Sequence, residues 1–180
     1  MRRTGMPPPY VLVGHSLGGL YSMYYARAYP QEVAGLVLVD SSHPEQVERC
    51  REKEEAKKCE EPWLTRMTLK LLPDAVYGEW RGREQAGREV ADAGPFPSVP
   101  LVVLTRGKYA WDGGDAADPY AADDWLEMQR ELAALSPYGR HIVVKESGHV
   151  IQKDEPELVV QAVSDMIDQV RAAALVTGLR

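Results

Sequence analysis

Cysteine is scarce in this 180-residue chain. Cys50 and Cys59 are too few and too far apart for a structural zinc site or a C-x-x-C redox motif; a local disulfide between them stays open, with nothing in their setting to support it. A single domain of this length buries roughly 70% of its unfolded surface, so it needs no such staples. No apolar run approaches the ~20 residues of a membrane span. The basic start Met1-Arg2-Arg3 leads into Pro7-Pro8-Pro9, not into the apolar stretch of a secretion signal. A soluble, cytoplasmic protein is therefore expected. Basic residues are in deficit, 21 against 27 acidic, for a net charge of −6, which argues against a nucleic-acid or anionic-membrane surface. The acids cluster at Asp112, Asp115, Asp118, Asp123, Asp124 and Glu127, without the spacing or closing glutamate of a calcium loop, so no metal is expected. The glycine fingerprint of a dinucleotide site and the Lys-Ser/Thr pair of a P-loop are missing too, and no cofactor is expected.

What the chain does have is alternation of short apolar runs with helical patterns. Tyr10, Val11, Leu12 and Val13 suit a strand buried on both faces. Residues 20–29 read as a helix with Leu20, Met23 and Tyr24 inward, stopped by Pro30, and residues 34–39 as the second strand. Residues 101–104 and 141–144 are the third and fourth strands, with a helix over 125–135 between them. A last helix covers 157–174, with Asp154 as its expected N-cap. The expected fold is α/β, a mostly parallel sheet of about four strands flanked by helices. Residues 44–95 are too long for a simple crossover and form the expected helical lid between the second and third strands. Trp63, Leu64, Met67, Leu71 and Leu72 pack it or line an acyl pocket.

The turn after the first strand reads Gly14-His15-Ser16-Leu17-Gly18-Gly19. A G-x-S-x-G pentapeptide alone is weak, but a buried strand entering it and a helix leaving it are the setting of a nucleophile elbow. Cβ atoms at Gly14 or Gly18 are expected to crowd the crossing strand and helix. The Leu17 backbone N–H, at the helix start, is the expected oxyanion donor. Serine needs a base at neutral pH. His149, in Ser147-Gly148-His149 after the fourth strand, emerges at the carboxyl edge of the sheet with Ser16, where open α/β sheets bind ligands. His15 is expected to face away and pack, His43 to line the site, and His141 to be structural. The acid is Asp40, held rigidly at the end of the second strand, or alternatively Asp112 or Asp115 in the acidic loop.

The stretch from Pro9 through Gly19 resembles the strand-and-elbow signature of the α/β-hydrolase fold enzymes. Residues 34–40 resemble their next strand, and Ser147-Gly148-His149 with Asp154-Glu155-Pro156 resembles their histidine loop and last helix. The resemblance covers essentially the whole chain, with 44–95 in place of the variable lid. It implies a partial α/β-hydrolase fold and Ser–His–Asp cleavage of a small-molecule carboxylic ester, or secondly an amide, through an acyl-enzyme. Some members carry the acid after the strand that follows the nucleophile strand, where Asp40 lies. Others carry it one strand later, in a pattern that Gly107-Lys108-Tyr109-Ala110 does not match. In the family, several strands and two helices precede the nucleophile strand; here nine residues precede Tyr10. The expectation is an amino-terminally truncated hydrolase domain over 1–180, whose first strand is an exposed apolar edge open to self-association. The alternative function is an inactive remnant serving as a ligand-binding or self-associating module. A third reading runs perhydrolysis or carbon–carbon bond hydrolysis on the same triad.

Overall fold

The computed structural model describes residues 5–52, 74–109 and 122–177. In chain order the elements are β1 (Tyr10–His15), α1 (Leu17–Ala28), a 3-10 turn (Pro30–Glu32), β2 (Val33–Val39), α2 (Gln46–Arg51), α3 (Asp74–Asp92), β3 (Leu101–Arg106), α4 (Ala122–Ala134), β4 (Gly139–Val144), α5 (Ile151–Asp154) and α6 (Pro156–Thr177). The strands lie in the order β1-β2-β3-β4, and every neighbouring pair is parallel. Parallel strands in sequence order share one carboxyl edge. His15, Val39, Arg106 and Val144 therefore end on the same side, and the segments after β1, β2, β3 and β4 leave the sheet together.

Side chains alternate across the sheet with period two. Leu36 and Leu38 of β2 join Leu12, Leu101, Val103, Leu20, Met23 and Leu132 in one core cluster, beneath α1, α3 and α4. Val37 and Val39 join Val102, Leu104, Val144, Ile151 and Met166 in a second, beneath α6. Both faces of β2 and β3 are covered, which is why these strands read as unbroken apolar runs. Among the described residues β1 is an edge strand, as the apolar-edge expectation has it, and Val13 in its middle is 50% exposed, so burial on both faces does not hold there. Among the described residues no helix is long and apolar enough to cross a membrane.

Several boundaries shift for identifiable reasons. α1 begins at Leu17, because the turn at Ser16 runs straight into the helix. Its buried stripe is Gly19, Leu20, Met23 and Ala26, so Tyr24 lies one step beyond it and is exposed. β3 continues through Thr105 and Arg106, both buried, because a buried carboxylate receives the arginine there. Of residues 44–95, α2 and α3 are described. α3 packs on the main core through Val90, and Gly87 lies so close to Pro44 that a Cβ would stand 2.1 Å from its carbonyl oxygen. The rest of that segment, with Trp63, Leu64, Met67, Leu71 and Leu72, lies outside the described residues. Cys50 is buried and disulfide-bonded, a pairing for which the sequence carries no signal.

Candidate active site

β1 delivers Ser16 into a backbone conformation that side-chain-bearing residues rarely adopt, with φ 53° and ψ −124°. Such a position costs of order 1–3 kcal/mol and persists only when its surroundings over-determine it. They do so here. The Ser16 N–H donates to the Val39 carbonyl (3.2 Å), and the Ser16 carbonyl accepts from Gly19 (3.0 Å) and Ser42 (3.1 Å). The Ser16 side chain makes no capping bond to the helix it precedes, which leaves its hydroxyl for other work.

Two glycines create the room for this turn. A Cβ on Gly14 would lie 2.5 Å from the Gly18 carbonyl oxygen, and one on Gly19 would lie 1.7 Å from Ser41 Oγ. The expectation for Gly18 is corrected: nothing lies within 4 Å of its would-be Cβ. Gly18 contributes its carbonyl to the crossing, and Gly19 is the residue that faces the neighbouring segment.

That neighbouring segment, residues 40–42, carries Asp40. Among the described residues, Asp40 and Ser16 are the two non-glycine residues with positive φ, Asp40 at 41°. Asp40 is fully buried, and four donors converge on its carboxylate. Oδ1 accepts from the Arg106 backbone N–H (3.1 Å) and from Trp125 Nε1 (2.9 Å). Oδ2 accepts from Arg106 Nη1 (2.8 Å) and from His149 Nδ1 (2.6 Å). Burial pushes the Asp40 pKa up, but the His149 hydrogen bond and the Arg106 charge outweigh it and hold the carboxyl below its ordinary value. Because Nδ1 donates to Asp40, neutral His149 keeps Nε2 as its acceptor. Sequence reasoning missed Arg106 and Trp125. Arg106 ends an apolar strand, a position where a charged residue calls for a partner, and Trp125 reads as one more member of a helix stripe.

The loop that carries His149 is tied down at several points. Asp154 Oδ2 accepts from the Gly148 N–H (2.9 Å) and from Ser147 Oγ (3.1 Å), so Asp154 braces the histidine loop from the end of α5 and does not cap α6 as expected. The Ser147 carbonyl accepts from the N–H groups of Gly107 (3.1 Å) and Lys108 (3.0 Å). His15 does not face away from this region. Its Nε2 donates to the His149 carbonyl at 2.9 Å, with the two rings 4.6 Å apart. Burial lowers the His15 pKa.

The remaining histidines have other partners. His43 lies beside Glu131 (3.3 Å) and accepts the Glu45 N–H at Nδ1 (3.1 Å). Burial, helped by the Arg49 charge, lowers its pKa to about 4. His141 pairs with Thr105 Oγ1 at 2.8 Å. Asp112 and Asp115 lie outside the described residues. No group of three metal-ligating side chains occurs among the described residues.

Residues 2–162 match the sequence profile of the alpha/beta hydrolase family. Lipase LipV of Mycobacterium tuberculosis (strain ATCC 25618 / H37Rv) is 31% identical over 137 residues, covering 73% of this chain and 46% of the lipase. Protein YqjL of Bacillus subtilis (strain 168) is 24% identical over 168 residues, covering 92% of this chain and 60% of that protein. The chain thus spans 60% of one of these relatives and 46% of the other. Among solved structures, alpha/beta hydrolase domain-containing protein 10 from mouse superposes with a TM-score of 0.59 at 21% identity, over 92% of this chain and 64% of that one.

Proposed function

The chain belongs to the alpha/beta hydrolase family, and we propose that it is a serine hydrolase that cleaves a small-molecule carboxylic ester through an acyl-enzyme. The observation that carries this reading is the 2.6 Å bond from His149 Nδ1 to the buried Asp40 carboxylate, at the sheet edge where Ser16 sits strained. Strained, over-determined residues cluster at functional sites, and among the described residues the two non-glycine residues with positive φ are the proposed nucleophile and acid. The similarity to a lipase supports ester over amide as the substrate class.

In the proposed cycle Ser16 Oγ attacks the ester carbonyl carbon while His149 Nε2 takes the hydroxyl proton. Asp40 holds the imidazole in the tautomer whose Nε2 is the acceptor and balances the imidazolium that forms. The Leu17 N–H, at the start of α1, is the proposed donor to the oxyanion, assisted by the positive end of the helix. His149 then protonates the departing alcohol, and water, activated by the same Nε2, releases the acid.

Fluorophosphonate labelling of the purified chain tests this. Labelling should be lost in Ser16→Ala. It should slow by about 10⁴-fold in Asp40→Asn, the loss that a wrong imidazole tautomer causes in such triads. Undiminished labelling of Ser16→Ala would refute the nucleophile. A folded native chain that takes no label would favour a ligand-binding module instead.

A further inference from the structure

Asp40 has to present one particular oxygen to His149, yet nothing within an aspartate side chain fixes which way its carboxylate faces. The terminal torsion of aspartate is broad and roughly two-fold. We propose, resting on the reading above, that Trp125 is a positioning residue: its indole N–H sets the plane of the Asp40 carboxylate and so aims Oδ2 at His149.

The donors divide between the two oxygens. Oδ1 accepts from Trp125 Nε1 (2.9 Å) and from the Arg106 backbone N–H (3.1 Å), while Oδ2 accepts from His149 Nδ1 (2.6 Å). The backbone N–H arrives from β3, the strand beside Asp40's own. The indole arrives from α4, a helix packed on β3. Donors from two elements fix a plane that one alone would leave able to swing. The main chain below is already held, because the Asp40 N–H donates to the Leu104 carbonyl (2.7 Å). The swing of the carboxylate about its own side chain is the freedom left to remove.

An indole suits that task. It donates and cannot accept, so it requires a lone pair at Oδ1 and disfavours any arrangement that puts a proton there. It is neutral, so it orients the carboxylate without adding charge. Its own placement is stiff: Trp125 is 3% exposed, and the Arg106 guanidinium lies 4.4 Å from its ring centroid. The same contact explains why an amide at position 40 should be so damaging. The Trp125 and Arg106 N–H groups would keep the amide oxygen on their side. The amide nitrogen would then face His149 Nδ1 and select the wrong tautomer.

The test compares the native chain with Trp125→Phe and with Trp125→benzothienylalanine, in which sulfur replaces the N–H at nearly the original shape. Each is also made together with Asp40→Asn. On their own, both variants should lower the maximal rate of Ser16-dependent fluorophosphonate labelling by about 10-fold or more, toward the ~10²-fold cost of a misplacement near 1 Å. The half-saturating probe concentration should not change. Together with Asp40→Asn, neither should slow labelling further by more than about twofold, since the orientation it disturbs no longer serves the base. A tryptophan needed only for packing would slow both backgrounds alike, and that result would overturn the proposal. So would native-rate labelling of the benzothienylalanine variant, or failure of both variants to fold. One readout needs no turnover. The Trp125 indole N–H proton, identified by NMR through its absence from Trp125→Phe, should move upfield in Asp40→Asn, where its charged acceptor becomes neutral. An unmoved signal would overturn the contact itself. A native chain that takes no label while this signal responds would sink the hydrolase reading. Native labelling that neither variant slows would sink only the role of Trp125.

Discussion

Gly18 and Gly19 are adjacent, identical and both in the first turn of α1, yet alanine should have opposite effects at the two. At Gly19 a new Cβ would stand 1.7 Å from Ser41 Oγ and 2.5 Å from Ser41 Cβ. Rotating the Ser41 hydroxyl relieves only the first contact; the second requires the backbone to move. That backbone is pinned, because the Ser41 carbonyl accepts from buried Gln129 (2.8 Å) and the next N–H donates to Ser16. Overpacking of this kind costs ~1–3 kcal/mol. The gain of alanine over glycine in a helix, ~0.5–1 kcal/mol, offsets only part of it. At Gly18 nothing lies within 4 Å, so only the helix gain remains. Urea unfolding should therefore place Gly18→Ala at or above native stability and Gly19→Ala about 2 kcal/mol below Gly18→Ala. Because the displaced segment is 40–42, Gly19→Ala should also slow labelling of Ser16, by about 10²-fold for a shift near 1 Å. Equal stability of the two variants would refute the packing argument. So would full-rate labelling of a destabilised Gly19→Ala.

Two further outcomes can be read from stability alone. Burial lowers the folded-state pKa of His43 to about 4, so the unfolded chain binds its proton more readily. Its contribution is complete above the unfolded value near 6.5 and is lost as pH falls toward 4, by about 3 kcal/mol in total. His43→Gln should flatten the stability profile across that window, and an unchanged slope in urea titrations would contradict the assignment. Asp40, held below its ordinary value, contributes in a lower window: its share is present above the unfolded value near 3.8 and lost below that. Asp154→Ala should cost about 1–2 kcal/mol, since it orphans the Gly148 N–H, while the Ser147 hydroxyl keeps the Gly148 carbonyl as its acceptor. It should also slow labelling at unchanged pH dependence; a native labelling rate would show that the histidine loop needs no brace.

Much of this protein is readable one residue at a time, because local chemistry decides it. The apolar runs of β2 and β3 mark strands covered on both faces, Pro30 stops α1, and Pro156 opens α6. The elbow is readable for the same reason: a strand, a glycine-flanked serine and a helix are consecutive. Parallel alternation then implies that Ser16, Asp40 and His149 leave the sheet at one edge.

What the tertiary structure decided depends on pairs far apart in the chain. It turned His15 toward His149. It chose Gly19 over Gly18 as the close contact, because only the path of residues 40–42 says which of two glycines is faced. It took Asp154 from the expected cap of α6 to the brace of the histidine loop. It also brought Arg106 and Trp125, 66 and 85 residues beyond Asp40, onto one buried carboxylate. A periodic pattern records which face a residue lies on. It carries no record of which distant charge meets it there, and that meeting sets the electrostatics of the site.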